Sequence, residues 1–168
     1  MSTDNRIGKK VHLALLKGAE AIDIDTYEDW NICEYYLKRK KLLFVVSGYP
    51  AIGLGHVYNT LVLANEILNH DIRFLVDDKS ALAAEKIGAN NYPMSMQKHG
   101  DITQDIAAMN PDIVINDRLD NSAAYIQTLK KQGYKVINIE DLGEGAEHAD
   151  LVINAMYPEK ELLPNHYF

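Results

Sequence analysis

The sequence has a single cysteine, so no internal disulfide can staple it; Cys33 reads as a small buried residue of a protein kept in a reducing compartment. No apolar run approaches the roughly 20 residues that a membrane helix needs, and the N-terminus has no apolar signal-peptide core. Positive charge is scarce too: 17 Lys and Arg stand against 24 Asp and Glu, a formal net charge of −7. The one basic cluster, KRKK at Lys38–Lys41, reads as a solvated helix end, favourable against the helix dipole. These absences argue against a disulfide-rich secreted domain, a membrane span and a nucleic-acid partner, and point to a cytoplasmic protein. At 168 residues and 47% hydrophobic, the chain has the makings of one core-bearing domain with a short appendage.

That domain is organised around Leu42–Leu68, LLFVVSGYPAIGLGHVYNTLVLANEIL, which reads as strand, glycine-rich loop, helix. LLFVVS is a continuous apolar run, as in a parallel strand buried on both faces. Gly48, Gly53 and Gly55 break it, while Val57, Leu61, Ala64 and Leu68 recur at helical spacing. His56 therefore stands at a helix N-terminus beyond the carboxyl end of a strand, where open α/β sheets bind ligands and free N–H groups attract anions.

Two familiar phosphate motifs are missing from this loop. GLGHVY puts Tyr58 where a dinucleotide fingerprint needs its third glycine, and no Lys-Ser/Thr pair completes a P-loop, so ATP hydrolysis is disfavoured. A loop able to approach a phosphate or a sugar remains, with a histidine beside it. A helix N-terminus disfavours the imidazolium, so His56 is expected to be neutral and able to act as a general base near neutral pH. The plainer alternative is that it caps the helix or bonds a loop carbonyl.

The rest of the chain alternates strand and helix patterns. DIRFLVDD, NNYPMSM, DIVIND, YKVINIED and DLVINA follow as strands, with Pro93 demoting NNYPMSM toward an edge or an irregular crossover. Helices are expected over Lys79–Gly88, with Gly88 as its C′ residue, His99–Met109, capped near Asp101 or Thr103, and Asn121–Gln132, ending at Gly133. The pattern predicts an α/β fold, a Rossmann-like three-layer parallel sheet. Asp77, Asp78, Asn116, Asp117, Glu140, Asp141 and Asn154 fall at its carboxyl edge, where they either cap helices or line one cleft, and Arg118 is placed to pair with Asp117.

Residues 1–41 read differently. MSTDNRIGKK is polar and partly disordered in character, VHLALL suggests a short edge strand, and Ile22 and Ile24 alternate with Asp23 and Asp25 as on a strand with one wet face. Thr26 with Asp29 forms a capping-box variant ahead of a helix whose apolar face is Trp30, Ile32, Cys33 and Leu37. Two carboxylates two apart on a strand face one side, the arrangement of a hard-cation half-site.

AIDIDTYEDWNICEYYL resembles the closing segment of the CMP-acylneuraminate (sialic acid) cytidylyltransferases. The resemblance implies that 1–41 is the tail of such a domain, with Asp23 and Asp25 as magnesium ligands (Mg2+ serving the parent domain) and the rest of the site lying outside this chain.

AIGLGHVYNTLVLANEIL, DIVINDR and VINIEDLGEGAEHADLVINA, in that order, resemble the UDP-sugar hydrolase of pseudaminic-acid biosynthesis and related spore-coat polysaccharide proteins, over about 42–157. That resemblance implies that 42–168 is the N-terminal half of a glycosyltransferase B-type fold, with a second nucleotide-holding domain beyond Phe168. It implies no cofactor for this half. Its partner is a nucleotide-sugar, UDP- or CMP-linked, and a homo-oligomer is compatible with it. By the same resemblance His56 activates water, Asp117 shapes the sugar side, and Gly53, Leu54, Gly55, Asn59, Asp141 and Asn154 serve the ligand. Asn59 replaces the family's arginine, a lost charge-assisted contact worth on the order of 2–3 kcal/mol. Together the two point to a fused protein of nonulosonic acid metabolism, or to a non-catalytic sugar-nucleotide module regulating the cytidylyltransferase.

Overall fold

A computed structural model of the chain describes residues 10–118, 120–156 and 164–167. It divides into two compact units, Met1–Arg39 and Lys40–Phe168, two residues ahead of the boundary expected from the sequence. Residues 1–9 of the polar start lie outside the described residues.

In the first unit the capping signal decides the local structure. Helix α1, Tyr27–Lys38, starts at Thr26, whose hydroxyl accepts from the Asp29 N–H at 3.2 Å while the Asp29 carboxylate accepts from the Thr26 N–H at 2.9 Å. The two strands expected before it do not form. Val11–Leu16 has no regular structure, a 3-10 turn covers Gly18–Ala21, and Ile22–Asp25 is not in a sheet. Alternation marks a face for burial, but a strand needs a partner, and the described residues of this unit supply none. No residue of α1 is buried; Trp30 is 59% exposed, Leu37 84%, and Cys33, expected in a core, is half-buried.

In the second unit the apolar runs make the sheet. Strands β1 (Lys41–Val46), β2 (Asp71–Val76), β3 (Met94–Met96), β4 (Ile113–Asp117), β5 (Lys135–Ile139), β6 (Leu151–Ile153) and β7 (His166–Tyr167) pair in the order β3-β2-β1-β4-β5-β6-β7, all parallel. The two-residue β7 carries too short a pattern to be read from sequence. Helices α2 (Gly55–Glu66), α3 (Ala81–Gly88), α4 (Ile102–Met109) and α5 (Ala123–Lys131) cover the faces. Strand alternation sorts the core into two: Leu42, Phe44 and Val46 pack with Val57 and Leu61 of α2 and with Ile87 of α3, while Leu43 and Val45 pack with Ile106 of α4 and Ile126 of α5. The result is the Rossmann-like three-layer fold, with Pro93 directly ahead of the edge strand β3.

The chain ends its helices with left-handed residues as expected, but at partly different places. Asn110 closes α4 at φ 46 just before Pro111, and Gly133 follows α5 at φ 88. Gly88 is not a C′ residue; it remains inside α3, and the positive φ falls on Asn91, at 59.

Strand β1 pairs with β2 on one side and β4 on the other, so the sheet order reverses at β1. A crevice at the carboxyl ends of β1 and β4 follows from this topology. It is there that the glycine-rich loop and the end of β4 meet.

Candidate functional site

The loop after β1 is fixed by polar ties and close packing. The Ser47 hydroxyl donates to Asp77 Oδ2 at 2.5 Å, the Ser80 hydroxyl to Asp77 Oδ1 at 2.8 Å, and the Gly48 N–H to Ser80 Oγ at 2.8 Å. A Cβ on Gly48 would meet Val57 Cγ2 at 2.8 Å and Ala83 Cβ at 2.9 Å, so only glycine lets α2 and α3 approach this closely. The N–H groups of Ile52 and Gly53 both donate to the Tyr49 carbonyl, with Gly53 at φ 76. Helix α2 then begins at Gly55 with no side chain capping its first turn.

His56, in that first turn, reaches across the crevice to the last residue of β4. Its Nδ1 lies 2.5 Å from Asp117 Oδ1; the imidazole is 14% exposed and the carboxylate fully buried. Asp117 pairs with Val46 in the β1–β4 register and follows Ile115 onto the α2 side of the sheet, which is why the two meet. Asp117 Oδ2 is buried without a hydrogen-bond partner among the described residues. With Nδ1 so engaged, Nε2 is the nitrogen left for chemistry.

This geometry reverses the direction of the pKa shift expected for His56. The bond from Asp117 raises the imidazole pKa above its ordinary value, partial burial opposes that rise, and the charges of Asp117 and Glu140 add to it. Burial pushes the Asp117 carboxyl up as well, against the lowering by His56. A nearby buried carboxylate outweighs the dipole of a helix start, and the pair titrates as one unit. Arg118, expected beside Asp117, instead lies over the Tyr125 ring at 5.4 Å.

Asp141 and Asn154 sit elsewhere, inside a satisfied network. Asp141 is fully buried and accepts from Asn121 N at 3.0 Å, Asn121 Nδ2 at 3.1 Å, Asn138 Nδ2 at 2.6 Å and Gly143 N at 2.9 Å. Asn154 Oδ1 accepts from the Asp141 N–H at 2.9 Å. These contacts tie β5 and β6 to the start of α5, and neither side chain has a free group to offer a ligand. Of the loop positions, Leu54 packs against the α2-side core, Gly53 and Gly55 are exposed, and Asn59 is exposed on α2.

Two adjoining cavities of about 300 and 290 Å³ open at the same carboxyl edge and share Gln97 and Arg118. Ser47 and Asp77, which line one together with Tyr49 and Ile52 of the glycine-rich loop, stand directly after the ends of β1 and β2. Tyr125 lines the other; its hydroxyl donates to Asn116 Oδ1 at 2.7 Å, and burial pushes its pKa up to about 12. Neither cavity is lined by His56 or Asp117. Gln97 and Tyr125 had no signal in the sequence, since one sits in a short irregular segment and the other falls on the apolar stripe of α5.

The carboxylates expected to hold magnesium do not make a site by themselves. Asp23 and Asp25 are exposed, and no sheet ladder fixes them side by side. Among the described residues no group of three or more His, Cys, Asp or Glu is set to hold a metal ion. No helix among them is long and apolar enough to cross a membrane.

No protein-family model matches the chain. Over 134 residues, 76% of its length, it is 30% identical to a protein of Methanocaldococcus jannaschii described as "Uncharacterized protein MJ1062". The chain spans about a quarter of that protein's length, 27%. The likeness extends over most of this chain and carries no activity with it.

Proposed function

We propose that Lys40–Phe168 is the sugar-binding half of a nucleotide-sugar hydrolase in nonulosonic acid biosynthesis, with His56 as general base and Asp117 as its orienting partner. The observation that carries this reading is the 2.5 Å contact between His56 Nδ1 and Asp117 Oδ1 across the β1–β4 crevice. A carboxylate on Nδ1 fixes the tautomer, leaves Nε2 as the acceptor, and stabilises the imidazolium that forms. In the reaction, Nε2 takes a proton from water, the water oxygen bonds to the anomeric carbon, and the carbon–oxygen bond to the diphosphate breaks, releasing UDP. The proton ends on His56, held against the buried Asp117. The raised imidazole pKa makes the base form grow as pH rises, so turnover climbs with pH through the His56 titration.

The test is nucleotide release from a UDP-linked diacetamido sugar by the longer protein that carries this segment. His56→Ala lowers turnover by about 10²–10⁴-fold on this account, the usual contribution of a general base. Unchanged turnover in His56→Ala sinks the role.

A non-catalytic sugar-nucleotide module is the second reading, favoured by Asn59. That residue stands exposed on the first turns of α2, where the resembling family places an arginine near the phosphates. This reading expects ligand-induced melting shifts with no turnover in the wild type.

A further inference from the structure

The β1–β4 crevice is not the only opening at the carboxyl edge. Two adjoining cavities, one at the starts of α4 and α5 and one between the loops that follow β1 and β2, are walled by hydrogen-bonding groups; Lys79 lines the second, and Arg118 lines both. No carboxylate lies within ion-pair distance of its guanidinium among the described residues. The four carboxylates that line the cavities, Asp77, Asp78, Asp101 and Asp120, are otherwise engaged or exposed. Asp77 accepts from Ser47, Lys79 and Ser80, Asp101 caps α4 by accepting from the Thr103 N–H, and Asp78 and Asp120 are exposed.

The guanidinium is also held in place. It lies over the Tyr125 ring at 5.4 Å, and Tyr125 is fixed through its hydroxyl to Asn116, whose Nδ2 donates to Asn138 at 2.9 Å. An arginine stacked on a ring presents a planar fork of donors suited to a carboxylate or phosphate. In a chain of net charge −7, a half-buried cation that is shared by two cavities and has no ion-pair partner among the described residues is the feature to explain. Cavities near 300 Å³ stand at the small end of ligand sites; Asn121 Nδ2 is tied to Asp141 and Gln97 Nε2 to the His99 and Gly100 carbonyls, which leaves the side-chain oxygens of Gln97 and Asn121 and the Ser122 hydroxyl hydrogen as the groups that match hydroxyls.

We infer that these cavities form a binding site for a small polyhydroxylated molecule carrying one anionic group, with Arg118 gripping the anion and the Gln97–Asn121–Ser122 wall taking the hydroxyls. The cavities open beside the glycine-rich loop that carries His56, with Tyr49 and Ile52 of that loop lining one of them, but neither His56 nor Asp117 lines either, and the site stands whether or not His56 performs hydrolysis. Arg118 is a binding residue here and takes no part in proton transfer.

The test is titration of the whole 168-residue chain with gluconate, glucose 6-phosphate and neutral glucose, followed by amide chemical shifts at Gly100, Asn121 and Ser122. At least one charged probe shifts these amides and glucose does not; gluconate alone marks a carboxylate site, glucose 6-phosphate alone a phosphate site. Arg118→Gln, with its core amides unmoved, weakens binding on the order of tenfold or more, as loss of a charge-assisted contact does. Added sodium chloride weakens the wild type, which keeps the test decisive should the variant not fold. The inference is overturned if neither charged probe shifts these amides, if glucose binds as well as they do, if a folded Arg118→Gln binds as the wild type does, or if binding ignores salt.

Discussion

His56 and Asp117 come from positions 61 apart in the chain and meet at 2.5 Å, one from the start of α2 and the other from the end of β4. Nothing local holds them together. Their contact depends on β1 and β4 being neighbours at the place where the strand order reverses.

The pair makes stability depend on pH in a defined direction. His56 has a folded pKa above its unfolded value, so its contribution is fully present below the unfolded value, near 6.5, and is lost as pH rises through the folded one. Thermal melts across the neutral range should show the midpoint falling with rising pH, with a flatter slope in Asp117→Asn. At the acid end the sign is opposite. Asp105, despite its burial, is held low by the N–H groups of His99 and Lys98 and the His99 ring, and Asp150 by Lys130 and the Val136 N–H. Their contribution is present above the ordinary carboxylate value and is lost as pH falls through their lowered ones.

Asp141 is a structural carboxylate, and its removal should show in stability. Asp141→Ala leaves two N–H groups and two side-chain amides without their acceptor in a buried place. The expected loss is about 3 kcal/mol or more in urea unfolding. A residue serving only a ligand would leave the unfolding midpoint in place.

Gly48 tests the packing beneath the loop. Its missing Cβ is what brings α2 and α3 against β1, so Gly48→Ala should cost about 1–3 kcal/mol, the range for overpacked cores. Chemical denaturation measures the loss. A variant as stable as the wild type would mean that Val57 and Ala83 can give way.

Much of this fold is written in the sequence because its strands are apolar on both faces, and such runs as Leu42–Val46 have nowhere to go but a parallel sheet between helix layers. The glycine-rich loop and the position of His56 at a helix mouth are legible for the same reason, since glycine and helix periodicity are local signals. The direction of the His56 pKa shift is not, because it depends on a carboxylate that only tertiary pairing brings near. Asp141 and Asn154 look like site residues for their place at strand ends, and only the donors around Asp141 reveal an internal tie. Alternation at Ile22–Asp25 misleads because a strand is made by its neighbour as much as by its own pattern.

The most direct test of the His56–Asp117 pair is an NMR titration of the His56 ring nitrogens in this chain, wild type beside Asp117→Asn. The account predicts a proton kept on Nδ1 and lost from Nε2, with a pKa above the ordinary histidine value in the wild type and a lower one in the variant. A wild-type pKa at or below the ordinary value, or one that Asp117→Asn leaves unmoved, would contradict it.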